Sequence, residues 1–410
     1  MTPTLPEPTR GSVRGTIITP EGPVADGLLA FEGDRIVHAG AAAGFDDAGW
    51  PEPVAPAPDA LIIPGLVDLH CHGAAGSDFS TADADGLRRA AGFLHAAGTT
   101  TLLASTVSAP KAELLEAARR LGALAREGLV AGIHAEGPFL SADRCGAQDP
   151  ASLVAPDPDF VDELLEASDS ELVTMTYAPE LPGADELVDR LISRGVTPSL
   201  GHSDAADAVA AASLETAREE MEEAGFDGYA PRPTVTHLFN GMPPLHHRSP
   251  GPVAACLRAA ARGDAVVEII ADGVHLDPAT VRTVFDLAGA QNVALVSDSM
   301  AATGLGDGRY RLGPAEVEVS NGTARLAADG SLAGGTATLL DCVRVAVAAG
   351  VPLADAVGSA SAVPADVLRL ADEVGALRRG LRADALVLSP TLELHAVLRG
   401  GQWLSGPDNT

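Results

Sequence analysis

The chain runs to 410 residues, 46% hydrophobic and 20% charged, with a formal net charge of −29; that length accommodates one large barrel with a smaller unit, or roughly two or three average domains. So acidic a balance excludes binding nucleic acid or an anionic membrane through a broad surface, since both need a basic face. An anionic substrate would have to be met by a local basic site.

Aromatic residues make up only 3%, so the core must be built from Ala, Val and Leu. One lysine, Lys111, leaves nearly all the positive charge to arginine. Four cysteines, Cys71, Cys145, Cys256 and Cys342, stand far apart with no C-x-x-C pair, which fits reduced thiols rather than a disulfide or zinc framework. The opening MTPTLPEPTR has no signal-peptide core, and the expected compartment is the cytoplasm.

From Val13 to Gly40 the runs VRGTIIT, GLLAFEG and RIVHAG, broken by Gly and Asp, predict a small sheet, followed by an Ala/Pro/Gly-rich loop over 41–60. From Leu61 the pattern alternates. Apolar strand-like runs fall near 61–68, 99–106, 129–135, 171–177, 196–201, 234–239, 266–271 and 292–297. Between them lie helix-like segments such as DADGLRRAAGFLHAAG and KAELLEAARRLGALAREG, with apolar residues three and four apart. Eight strand-helix units are what an α/β (β/α)8 TIM barrel requires. A longer insertion spans 299–334. Val343–Pro364, broken by Arg344 and Asp355, reads as one or two buried helices rather than a membrane span. GALRRGLRADALVLSP and ELHAVLRGGQWL again look like short strands. The expected architecture is a TIM barrel over 61–371 and a small β-sandwich domain built from both chain ends, 1–60 and 372–410.

The run LIIPGLVDLHCHG, residues 61–73, ends in His70 and His72. Positions i and i+2 of a strand share a face, so both imidazoles leave one side of the strand end, as a divalent metal needs, while Cys71 faces away. A His-x-His pair alone is common by chance. It gains weight from the residues downstream: Glu136 ends the third predicted strand in GIHAEGPF, His202 the fifth in SLGHSD, and Asp298 the eighth in ALVSDSM, with His237 in the sixth in TVTHLFN. Barrel active sites form at C-terminal strand ends. Singly, each has a plainer reading as a hydrogen-bonded barrel histidine, a helix cap or a turn carboxylate. Jointly they converge on one mouth, and buried charges accumulate only where paired or metal-bound. His134, two residues before Glu136, shares its face; it either hydrogen-bonds a ligand or Asp298, or simply lines the barrel. His246 and His247 read as surface residues, and His38, His95 and His395 as structural.

The motifs PGLVDLHCHG, HAEGPFL, GHSDA, THLFNGMPP, RSPG, IIADGVH, LVSDSM and LAGG, in that order over nearly the whole chain, resemble the amidohydrolase superfamily and, within it, the N-acetylglucosamine-6-phosphate deacetylases. The resemblance implies hydrolysis of N-acetyl-D-glucosamine 6-phosphate to D-glucosamine 6-phosphate and acetate, in amino-sugar catabolism and cell-wall sugar recycling. It makes Glu136, His202 and His237 ligands of the principal divalent metal, with zinc the expected ion. His70 and His72 match a pair that binds a second metal in some members and is replaced in others, so one or two ions per subunit are implied. Asp298 corresponds to the catalytic carboxylate, acting as general base and then acid. For the sugar the resemblance points to Ala147, Asn240, Gly241, His275, Leu332, Ala333 and Gly334. For the phosphate it points to Arg248 and His275, and the arginine fork suits a phosphate. In related enzymes this arginine comes from the neighbouring subunit, which implies a homodimer with a shared site. A centre bridged by a carboxylated lysine is disfavoured, because Lys111 lies at a predicted helix start. In RCGAQDP, Gln148 stands where many relatives have histidine, and Cys145 on the same loop lies near the expected substrate position. N-acetylgalactosamine 6-phosphate fits the same motifs; a cyclic amidohydrolase and a non-catalytic barrel scaffold are more distant readings.

Overall fold

A computed structural model describes residues 9–19, 21–54, 59–225 and 231–406. Eight parallel strands form one ladder in chain order: β1 (Leu66–Asp68), β2 (Thr99–Thr106), β3 (Gly132–Glu136), β4 (Leu172–Tyr177), β5 (Thr197–Leu200), β6 (Thr234–Val235), β7 (Val266–Ile269) and β8 (Val293–Leu295). The fold is the expected TIM barrel. Among the described residues β1 and β8 share no ladder, and the ring closes just beyond them. There the Asp298 amide donates to the His70 carbonyl at 2.9 Å and the His72 amide to the Ser299 carbonyl at 2.7 Å. The Ser297 hydroxyl donates to the buried Asp68 carboxylate at 2.6 Å.

The outer helices follow from residue spacing. Helix α1 (Ala84–Ala96) starts on Asp83, whose carboxylate accepts from the Gly86 amide, and buries Leu87, Ala90, Ala91 and Leu94. Helix α2 (Lys111–Arg126) buries Leu114, Ala117, Ala118 and Leu121. Residues three and four apart make one apolar stripe, which packs on the strands. Inside the barrel, below the mouth, polar side chains join in a chain: Ser105 Oγ to His134 Nδ1, His134 Nε2 to Thr176, Thr176 to Thr236 and Thr236 to Ser199, each within 2.9 Å. Toward the strands' N-terminal ends Val67, Leu103, Val266 and Ala294 meet Ala365 and Leu368 in an apolar plug.

Both chain ends meet in one seven-stranded sheet, ordered 402–405, 394–399, 385–388, 61–64, 10–19, 22–32, 35–41. Phe31 and Trp403 lie near opposite edges of that order, yet their rings meet edge-on at 6.4 Å, so the sheet curls onto itself as a sandwich. The expected border between the units moves. The apolar run 61–68 is two strands, Leu61–Pro64 in the terminal sheet and Leu66–Asp68 in the barrel. A Cβ on Gly65 would lie 2.2 Å from Thr100 Oγ1, so only glycine lets the chain cross here, and the small unit reaches to Pro64 rather than residue 60. The insertion 299–334 folds as three antiparallel strands, Gly308–Leu312, Ala315–Ser320 and Thr323–Leu326, which pack on Val107 and Met300. No helix among the described residues is long and apolar enough to cross a membrane.

Candidate metal centre

Glu136, the last residue of β3, is the hub. Its Oε1 lies 2.8 Å from His237 Nε2 and 2.9 Å from His202 Nε2. Its Oε2 lies 3.2 Å from His72 Nε2 and 3.7 Å from His70 Nε2. Asp298 Oδ1 completes the cluster, 3.2 Å from His72 Nε2 and 3.5 Å from His70 Nε2. The donor atoms of His70, Glu136 and His237, and again of His70, His72 and Asp298, fall within 4.8 Å of one another, and all are buried. Imidazole nitrogens and carboxylates this close make a cradle for a divalent cation. His202 supports that fit by its own hydrogen bonding. Its Nδ1 donates to the Arg144 carbonyl at 2.8 Å, so Nε2, 2.9 Å from Glu136 Oε1, is the nitrogen left to face a cation.

Backbone turns bring these side chains from separate strands to one point. His202, His237 and Asp298 have φ of 47°, 28° and 45°, a left-handed conformation that costs a residue with a Cβ on the order of 1–2 kcal/mol. Close packing holds His202 there: Gly241 has φ +59°, and a Cβ on it would lie 2.6 Å from His202 Nδ1. Burial opposes the charged forms of His70, His72, His237, Glu136 and Asp298, and at His237 it prevails and lowers the ring. For His70 and His72, Glu136 and Asp298 outweigh burial and pull the rings up, His72 to about 9. Against burial, His70 and His72 hold Asp298 below the ordinary carboxylate range, and His70, His202 and His237 hold Glu136 well below it. Two buried carboxylates held ionised in one cradle favour positive charge beside them, from protons or from a cation. It opens into a cavity of about 340 Å3.

The sequence pattern of the amidohydrolase family matches residues 61–404, the span that carries this whole cluster. The chain belongs to the amidohydrolase family. Amidohydrolases of this family are metal-dependent. The chain is 33% identical over 348 residues to N-acetylglucosamine-6-phosphate deacetylase of Lysinibacillus sphaericus, covering 83% of this chain and 85% of that one. It is equally 33% identical, over 350 residues, to N-acetylgalactosamine-6-phosphate deacetylase of Escherichia coli O157:H7, covering 84% and 88%. Among solved structures, N-acetyl-D-glucosamine-6-phosphate deacetylase of Mycobacterium smegmatis, an aspartate-to-alanine mutant in complex with N-acetyl-D-glucosamine-6-phosphate, matches with a TM-score of 0.88 at 36% identity. That match covers 97% of this chain and 100% of the other.

This amidohydrolase has no lysine at its centre: Lys111 opens α2 and pairs on the surface with Glu163 at 2.6 Å. Of the residues expected around the sugar, Ala147, Asn240, Gly241, His275, Leu332 and Gly334 line the cavity. Ala333 does not. Its side chain is fully buried behind the lining, among Val107, Met300 and Leu312. His275 Nδ1 donates to Asp272 Oδ2 at 2.8 Å; burial opposes its charged form and Asp272 outweighs that, raising it above the usual imidazole range. Arg248 is exposed, outside the cavity lining, with Nη1 2.9 Å from His247 Nε2. His134 bonds neither a ligand nor Asp298, because the Ser105 and Thr176 hydroxyls occupy both ring nitrogens. It stands edge-on to His70 at 4.5 Å, and burial with that neighbour keeps it neutral, well below the usual imidazole range. Cys71 faces away, its thiol toward the Leu103 carbonyl. Cys145 lines an adjoining pocket with Pro314 and Leu326 rather than the metal cavity. Gln148 does reach the centre, its Nε2 donating to Glu136 Oε2 at 2.5 Å.

Two buried carboxylates against His70 are not singled out by the sequence motifs. Glu268 in β7 places Oε2 3.6 Å from His70 Nδ1, behind the cradle. Asp68, pushed up to about 6 by burial against the Ser297 hydrogen bond, ties β1 to the chain after β8. Asp68 ends the apolar strand LVD and Glu268 interrupts VVEI, and a lone charge in a buried strand is a signal that the sequence offers.

Proposed function

We propose that the protein hydrolyses N-acetyl-D-glucosamine 6-phosphate to D-glucosamine 6-phosphate and acetate. The observation that carries this reading is the Glu136 hub at the barrel mouth, in a chain similar over 97% of its length to a deacetylase solved with that sugar phosphate. Glu136, His202 and His237 would hold the principal ion, with zinc favoured by nitrogen and carboxylate donors, and His70 and His72, beside Glu136 Oε2 and Asp298, a second, making one or two per subunit. Such an ion, when bound, lowers the pKa of water and polarises the acetamide carbonyl. Asp298, held ionised, takes a proton from the attacking water and returns it to the amine nitrogen as the C–N bond breaks. The water oxygen leaves in acetate.

Asn240, Gly241, Ala147, Leu332 and Gly334 bound the sugar, with Ala333 supporting that segment from behind. His275, fixed by Asp272, meets the phosphate together with Arg248. The exposure of Arg248 outside its own cavity supports donation from a partner subunit in a homodimer. Four unpaired cysteines support a cytoplasmic setting, in amino-sugar catabolism and cell-wall sugar recycling. The equal identity to the galactosamine enzyme keeps N-acetylgalactosamine 6-phosphate as the second reading. Comparing kcat/KM on the two epimers decides between them, and the gluco epimer should lead by about tenfold or more. A galacto preference overturns the epimer, and equal turnover of unphosphorylated N-acetylglucosamine overturns the phosphate contact.

A further inference from the structure

A neutral side chain sits on the hub. Gln148, 5% exposed, donates from Nε2 to Glu136 Oε2 at 2.5 Å. Its orientation is settled by its other end, where Oε1 accepts from the Ser108 backbone amide at 2.7 Å; a backbone N–H can only donate, so the NH2 group must face Glu136. The engaged oxygen matters. Oε1 of Glu136 faces His202 and His237, whereas Oε2 faces His72 and His70. A carboxylate oxygen that already accepts a short amide hydrogen bond must give it up, or share it, to bind a cation, whereas Oε1 carries no amide bond and faces only the ring nitrogens of His202 and His237.

We propose that Gln148 is a positioning residue that reserves Glu136 Oε2, so that the centre takes its first ion at Glu136, His202 and His237 and fills the His70/His72 site only at higher free metal. The inference rests on the ligand assignment made above. It gives residue 148 control over how many ions the centre holds: an amide donor favours one, and an acceptor or an apolar side chain there favours two.

The test uses the full chain, stripped with a chelator and equilibrated with buffered free zinc, with bound equivalents counted by elemental analysis. Wild type should bind the second equivalent at free zinc about tenfold or more above the first, and Gln148→Met should lower that second half-saturation point about tenfold, the scale of one hydrogen bond to a charged group. The first equivalent should move far less. Gln148→Glu, isosteric and still able to accept from Ser108, covers the case that the methionine variant does not fold, and should tighten the second equivalent more than the first. His70→Asn combined with His72→Asn should bind a single equivalent whatever stands at 148, which identifies the ion that moved. An unchanged gap between the two equivalents in both variants overturns the role of Gln148 alone. Failure of wild type to bind zinc, or undiminished binding by Glu136→Gln, overturns the ligand assignment and this inference with it.

Discussion

Asp298 serves two ends at one position: its amide closes the barrel onto His70, and its carboxylate faces the cradle. Asp298→Asn separates them, keeping the shape and the backbone bond while removing the base. We expect kcat to fall by about 10^3, the middle of the range for a lost general base, with the melting temperature nearly unchanged. Undiminished kcat would refute the catalytic assignment, and a large drop in melting temperature would make the residue structural. Residues whose direction follows from local alternation were legible in the sequence, as with His70 and His72 facing one way and Cys71 the other. Gln148 was not legible in this sense, because its tether joins a loop to a strand end 12 residues before it through a contact that only the closed barrel creates. A motif locates a segment, but a bridge such as Arg325 with Leu332 decides which of its side chains faces the cavity, and that of Ala333 turns away from it.

Among the secondary elements, His95 near the end of α1 ties the helix to the strands. Its Nδ1 lies 2.8 Å from the Thr99 carbonyl and its Nε2 2.9 Å from the Leu129 carbonyl. Burial and then Arg399 outweigh these two acceptors and push the ring down to about 4. Above pH ~6.5, the value for an unfolded chain, the ring is neutral in both states and its contribution is complete. As the pH falls from there to about 4 the unfolded chain takes up the proton first, and stability drops by about 3 kcal/mol in all. Below that window both states are protonated and nothing more is lost. Urea midpoints at pH 7.5 and 4.5 should therefore converge more for His95→Gln than for wild type, and equal losses in both would refute this. Strand and helix periods were strong enough to place β2, α1 and α2 within a residue or two. The break at Gly65 was not readable, since an apolar run does not say which of two sheets it joins. Nor was the early end of β6 at Val235, which comes as the chain turns left-handed at His237.

At the scale of the whole molecule, the proposed donation of Arg248 by a partner subunit would make assembly a condition of activity. Co-expressing Asp298→Asn with Arg248→Ala tests this, because each mixed dimer would rebuild one intact site. Random pairing should restore about a quarter of wild-type activity at low substrate, from parents that are each far weaker. No gain over the parents would place the phosphate contact within a single chain. The terminal sheet carries a different consequence, one that concerns the chain while it is being made. Leu61–Pro64 lies between the strand 10–19 and the strand 385–388. Its first neighbour leaves the ribosome ahead of it, and its second follows only after the entire barrel, on the order of tens of seconds later at ordinary translation rates. Throughout that interval an apolar strand offers an open edge on which another nascent chain could pair. The hazard of aggregation is thus concentrated in the period of synthesis, and it passes when the last strands emerge and cover that edge.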